Sequence, residues 1–236
     1  MLVNRQRLVT ASLLLFALAG CGPRSEPAAA PPDTPTSSTA TPTAPASEAP
    51  AESSTDSTSS AIPEAQVVEG DIWSRLRQAD THYYVLMRHA IAPGTGDPAN
   101  FQVDDCATQR NLSEEGREQA RRTGAAFREQ NVAVQQVLSS EWCRCLDTAE
   151  LLDLGPVERF PILNSFFQDR SQGPPQTQQL QEFMVANRDE AGVTVLVTHF
   201  VNISAIAGSG VSSGELVVMQ VNDDNEPEVV EAIGPF

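Results

Sequence analysis

Hydrophobic positions fall in short, dense runs that end abruptly in polar or basic side chains, with helically spaced stretches between them. Tyr83-Tyr84-Val85-Leu86-Met87 is an unbroken apolar, β-prone run that stops at Arg88-His89. Such a run predicts a strand buried on both faces of a parallel sheet. The same grammar recurs at Gln136-Val137-Leu138-Ser139-Ser140, which leads into Glu141-Trp142-Cys143-Arg144. It recurs again at Val193-Thr194-Val195-Leu196-Val197-Thr198, which leads into His199.

Between these runs the pattern is helical. Asp71 precedes an amphipathic stretch with Trp73 and Leu76 on one face, and it caps a predicted helix. Ser113 is the predicted N-cap of a second helix, with Leu112 before it and Glu114 and Glu115 in the first turn, where the dipole favours acids. Gly116, Ala120 and Gly124 recur every four residues and Phe127 extends that face, which predicts close packing on the sheet. A helix from about Trp142 to Leu152 puts Arg144 and Thr148 one turn apart. Residues 153–170 read as irregular, with one extended piece at Arg159–Leu163. Gln176–Asn187 is a polar helix that turns Leu180, Phe183 and Met184 inward. Val201–Ala207 is a short helix, and Glu215–Val221 and Val229–Ile233 are a closing pair of strands. The alternation predicts an α/β fold: a three-layer α/β/α sandwich with a mostly parallel sheet.

Residues 1–66 follow neither pattern. Arg5 and Arg7 precede a short apolar stretch, Leu8 to Ala19, which reads as a targeting segment too short to span a bilayer. Leu18-Ala19-Gly20-Cys21 resembles the bacterial lipobox, which implies a signal peptide of residues 1–20, lipidation of Cys21 and a membrane as partner. Residues 21–66 hold Pro, Ala, Ser and Thr, with nine of the seventeen prolines. That composition cannot offset its ordering entropy and predicts a disordered tether. The folded domain is then 67–236, long enough for one buried core. These features place the domain in a bacterial cell envelope, in the periplasm or the extracellular space.

Charge narrows the chemistry. The net charge of −16 argues against nucleic acid as a partner. All fifteen basic residues are arginine, which excludes a lysine-based phosphate loop and a Schiff base. Ligands of open α/β sheets bind beyond the carboxyl ends of the strands. Arg88, His89, Arg144 and His199 would meet there, in a cationic, imidazole-rich pocket suited to phosphate.

Leu86-Met87-Arg88-His89-Ala90, Asn111-Leu112-Ser113-Glu114-Glu115-Gly116, Ser139-Ser140 with Arg144 and Thr148-Ala149, and Val197-Thr198-His199 together resemble the histidine phosphatase superfamily, in its phosphoglycerate mutase-like branch. The resemblance runs from about Tyr83 to Val221. It implies a phosphohistidine intermediate on His89, phosphate clamping by Arg88 and Arg144, a further phosphate contact from His199, and neither metal nor cofactor. The expected partner is a phosphorylated small molecule or a phosphoprotein.

A general acid would protonate the leaving oxygen. Phe200 follows His199, so the His-Asp pair of the acid-phosphatase branch is absent. Asp169 is the candidate by position, with Asp97 and Glu150 as alternatives. Arg110 and Asn202 are candidate substrate contacts; Arg110 could equally cap a helix, and Asn202 could equally orient His199 or cap the helix after it. His82 is expected to precede the strand, exposed. The long loop Ile91–Asn111 leaves the site and is expected to roof it. An exported domain meets an oxidising environment, so Cys106 is expected to pair with Cys143 or Cys145; zinc is disfavoured because no Cys-x-x-Cys spacing exists. The resulting expectation is a membrane-anchored phosphomonoester phosphatase, with a protein-phosphohistidine phosphatase or a catalytically silent phospho-ligand-binding domain as alternatives.

Overall fold

The computed structural model describes residues 71–236. The predicted signal peptide, the tether with Cys21 and the first residues of the predicted domain lie outside the described residues.

Eleven elements build the domain: α1 (Ile72–Gln78), β1 (His82–Arg88), α2 (Glu114–Glu129), β2 (Gln136–Ser139), α3 (Cys143–Leu152), β3 (Val157–Arg159), α4 (Gly173–Asn187), β4 (Gly192–Thr198), α5 (Phe200–Ala207), β5 (Leu216–Val221) and β6 (Pro227–Ile233). The strands form one sheet in the order β3-β2-β4-β1-β5-β6. β3, β2, β4 and β1 run parallel; β5 pairs antiparallel with β1, and β6 antiparallel with β5. The mostly parallel sheet agrees with the sequence.

β1 and β4 carry side chains buried on both faces, as their unbroken apolar runs require. Tyr83, Val85 and Met87 pack with Ile72 and Leu76 of α1, Phe127 of α2 and Ala149 and Leu152 of α3. Tyr84 and Leu86 pack on the opposite face with Leu180 and Met184 of α4 and Ile203 of α5. The period of two along the strand thus sorts the helices into two outer layers.

Caps set the helix starts as expected. The Asp71 carboxylate accepts from the Ser74 N–H at 2.8 Å, and the Ser113 hydroxyl from the Gly116 N–H at 3.0 Å.

Four expectations need correction. The extended piece lies earlier than Arg159–Leu163: Val157 pairs with Val137, whereas Pro161–Leu163 forms a 3-10 turn, because proline cannot donate to a ladder. α4 begins at Gly173, not Gln176, since Pro174 and Pro175 are tolerated in a first turn. The small-residue stripe of α2 meets backbone rather than the sheet: a Cβ on Gly116 would lie 2.1 Å from the Ile91 carbonyl oxygen, and one on Gly124 1.9 Å from that of Leu152. His82 belongs to β1 and is buried, stacked on Tyr84 and bonded to the Glu190 carbonyl and, at 3.0 Å, to the Thr194 hydroxyl.

Candidate active site

Strand order decides which side chains meet. β4 lies between β2 and β1, so the residues that leave these three strands are neighbours. His89 leaves β1 and His199 leaves β4; the His89 N–H donates to the Thr198 carbonyl at 2.9 Å, extending the ladder by one bond. The two imidazole rings stand 5.5 Å apart, edge to face.

His89 is 2% exposed. Its Nδ1 lies 2.8 Å from the Ala90 carbonyl oxygen, an acceptor only, so Nδ1 carries the proton and Nε2 keeps its lone pair. Burial, reinforced by the positive charges of Arg144, Arg110 and Arg88, pushes the His89 pKa down to about 3. The ring is therefore neutral near pH 7.

His199 is fixed from two sides. Its Nε2 is 2.8 Å from the Ser140 hydroxyl, and its Nδ1 is 3.4 Å from Nη2 of Arg144. A guanidinium only donates, so Nδ1 accepts and Nε2–H donates to Ser140. The Ser140 hydroxyl donates onward to Asn164 Oδ1 at 3.2 Å. Burial, then the neighbouring His89 ring, which opposes a second protonation beside it, and the charges of the three arginines hold the His199 pKa well below the usual imidazole value.

Arg144, the second residue of α3, reaches back over the strand ends. Its Nη1 and Nη2 donate to the two carboxylate oxygens of Asp97 at 2.7 and 3.2 Å. Asp97 also accepts from the Trp142 indole at 3.0 Å and the Arg110 backbone N–H at 3.1 Å. Burial favours the neutral acid, but the charge-assisted bonds from Arg144 outweigh it and hold the Asp97 carboxyl below the usual range. Thr148 locks the helix to the strand end: its hydroxyl donates to the Arg144 carbonyl at 2.7 Å and accepts from the Ala90 N–H at 3.1 Å. Arg88 donates through Nη1 to the Val211 carbonyl at 2.9 Å. The Nε–H groups of both Arg88 and Arg144 are buried without a protein partner, a costly state unless something else accepts from them.

A cavity of about 200 Å³ opens between these groups, lined by Arg88, His89, Arg110, Arg144 and His199 among others. Asp97 is the only carboxylate among its lining residues, against three guanidiniums. The cavity is thus built for an anion.

The loop Ile91–Asn111 contributes Gly94, Thr95, Gly96 and Asp97 to the cavity wall, as a roof. Gly94 and Gly96 take positive φ values, a bend that only glycine adopts at little cost. Arg110 braces the loop through bonds to the Gly96 and Ala92 carbonyls. Cys106 is bonded to Cys143, 37 residues away, so the far end of the loop is stapled beside Arg144. Cys145 remains a buried thiol, pushed up to about 12 by burial.

Three candidate assignments do not survive the geometry. Asp169 is exposed and caps a 3-10 turn, accepting from the Ser171 N–H and hydroxyl. Those bonds hold its carboxyl low, and it lines no part of the cavity. Glu150 is exposed on α3. Asn202 is buried but outside the cavity lining, and its amide donates to the Asn164 carbonyl at 3.0 Å rather than to His199; the cap of α5 is His199 itself.

Other residues take roles that the sequence did not assign to them. Ser140 and Asn164 orient His199, and Asp97 holds Arg144. The sequence signal for Asp97 was a lone acid in Gly94-Thr95-Gly96-Asp97-Pro98, directly downstream of a strand ending in Arg-His. Asn164 sits in an irregular segment with no signal of its own.

Residues 84–192 match the family described as histidine phosphatase superfamily (branch 1). Among solved structures, the chain is similar to the phosphoserine phosphatase of Entamoeba histolytica (14% identity, 65% of this chain and 97% of that one, TM-score 0.50). It is similar also to the Rv3214 protein of Mycobacterium tuberculosis (15% identity, 64% and 96%, TM-score 0.50), and to the protein histidine phosphatase SixA complexed with tungstate (15%, 65% and 97%, TM-score 0.48). At these identities the likeness is one of fold. No curated protein sequence matches. The family match over residues 84–192 supports a place in the histidine phosphatase superfamily.

Proposed function

We propose that the protein is a phosphatase that hydrolyses phosphomonoesters through a phosphohistidine on His89. The observation that carries the reading is the neutral Nε2 of His89, free of any protein donor, in a cavity where two buried arginine Nε–H groups lack acceptors. A bound phosphoryl group supplies those acceptors. Arg88 and Arg144 donate to its non-bridging oxygens, and the neighbouring His199 ring, held in place by Ser140, completes the wall.

Nε2 of His89 attacks phosphorus and the ester oxygen leaves with the bonding pair. Water then attacks the phosphohistidine, and phosphate departs as His89 recovers its lone pair. The guanidiniums neutralise the charge that develops on the transferring group, so the proposed reaction needs no added metal. Arg110 lies in the same wall and adds positive charge.

Lipid anchoring at Cys21 and export belong to the same proposal. Leu18-Ala19-Gly20-Cys21 supports the anchor, and the Cys106–Cys143 disulfide suits an oxidising envelope compartment.

The purified chain, given an activated aryl phosphate with and without chelator, tests the reading. Chelator-resistant turnover that His89→Ala abolishes supports it. A folded sample with no turnover above the His89→Ala background overturns it and favours a silent phospho-ligand-binding domain.

A further inference from the structure

Two features of the cavity converge on one property of the substrate. The first is the wall. Phe167 and Phe200 are 42% and 44% exposed, and only Val229 joins them among exposed large hydrophobic residues of the described chain. Both phenylalanines line the candidate site. Phe200 follows His199 directly, and its ring lies 5.5 Å from the Arg88 guanidinium. Phe167 has the Arg170 guanidinium 5.0 Å from its ring, and a Cβ on Gly96 would touch it at 3.9 Å. Large apolar side chains left open at a pocket mark a binding surface, and aromatic rings favour a ring as partner.

The second feature is the lack of a proton donor. The one carboxylate lining the cavity, Asp97, accepts from four N–H donors and is held ionised. The Nε2–H of His199 is committed to Ser140. Arginine does not give up its proton in proteins. A leaving group must therefore depart as an anion. An aliphatic alkoxide resembles deprotonated water, whose pKa is about 15.7, and is a poor leaving group. A phenolate, with a pKa of about 10, is far better.

We propose that the substrate carries its phosphoryl group on an aromatic ring, which packs against Phe167 and Phe200 while the phosphate engages the arginines. This rests on the phosphatase reading and specifies its leaving group. In the first step the His89 Nε2–P bond forms and the P–O bond to the ring breaks, with the electron pair departing on the phenolate. In the second, water adds to phosphorus and the N–P bond breaks. The dihydrogen phosphate released gives one proton to the phenolate in solution. An N-phosphorylated imidazole ring would instead break its P–N bond and depart as neutral imidazole, its distal nitrogen already protonated from solution, so it too needs no donor from the protein; comparing phenyl phosphate with N-phosphoimidazole separates the two sources.

The test has a rate arm and a binding arm, both on the full chain. In the rate arm, substituted phenyl phosphates and glycerol phosphate are compared. The expected result is a steep dependence on phenol acidity and at least about 100-fold lower kcat/KM for the alkyl ester, judged from what one missing catalytic donor costs. In the binding arm, inhibition or direct binding of benzylphosphonate and butylphosphonate is measured, which needs no bond cleavage. Benzylphosphonate should bind about tenfold more tightly, and Phe167→Ala and Phe200→Ala should each narrow that ratio. Equal turnover of alkyl and aryl esters, or equal affinity for the two phosphonates, overturns the inference while leaving the phosphatase reading intact. Absence of all turnover overturns that reading instead, and the inference with it.

Discussion

Asp97 and Arg144 form a two-pronged ion pair in the wall of the candidate site, with their side chains only 6% and 3% exposed. The carboxylate comes from the roof loop and the guanidinium from α3, so the pair joins two segments that the sheet alone does not align. Asp97 is thereby a positioning residue: it fixes the Arg144 plane and leaves Nε without a protein acceptor.

Removing one member of a buried pair strands the other charge, at a cost of about 3–5 kcal/mol. Asp97→Ala is expected to lower stability by that order in urea denaturation. Inorganic phosphate should then raise the melting temperature of the variant more than that of the wild type, because the anion takes over charge compensation. Equal phosphate shifts in the two proteins would contradict the placement of the anion beside Arg144.

The imidazoles make stability pH-dependent in a defined direction. His89 and His199 are held neutral with folded pKa values below the ordinary 6.5, so below that pH the unfolded chain binds the extra protons. Their contribution is complete above about pH 6.5 and is lost as pH falls toward the folded values, about 3 for His89. The slope approaches at most about 1.4 kcal/mol per pH unit for each ring. Denaturant midpoints between pH 7.5 and 4 should fall accordingly, and His199→Gln should flatten the curve. A flat wild-type curve would mean that the rings are not buried neutral.

Gly124 allows α2 to lie against the end of α3. An added Cβ would sit 1.9 Å from the Leu152 carbonyl oxygen, which cannot move without displacing the helix. Gly124→Ala should therefore destabilise by about 1–3 kcal/mol or more, although alanine is the better helix former by about 1 kcal/mol. An unchanged urea midpoint would refute this packing.

Reduction of the Cys106–Cys143 disulfide should release a closed loop of 37 residues of sequence separation and cost about 2–4 kcal/mol. The disulfide also staples the roof loop Ile91–Asn111, which carries Asp97 and Arg110, beside Arg144, so KM for a phosphate ester should rise under reductant more than kcat falls. Identical kinetics in oxidised and reduced protein would show that the staple does not position the loop.

The sheet and most helices were legible in the sequence because apolar runs and capping residues are local signals. β1, β4 and α2 needed only their own residues. β3 was misplaced because three residues, Val157–Arg159, are too few for a periodicity, and Pro161 beside them looked like part of a strand. Within the site, His89 and His199 were legible as polar breaks at the ends of buried runs. Asp169 failed because chain position carries no direction: its carboxylate satisfies its own turn. The chain His199–Ser140–Asn164 spans three separate segments, and long-range hydrogen bonds leave no local trace. Asp97 could be suspected from its loop, but its partner could not.

β1 and β4 are paired so that Arg88 lies opposite Thr198, one residue short of each histidine. Strand side chains alternate faces, so a slip of one residue between these strands would send one imidazole to the wrong side of the sheet. The pairing register is thus a precondition for chemistry as well as for packing. Turnover by this protein would therefore report on its own assembly: a chain that collapses with its central strands misaligned would keep its secondary structure and be silent.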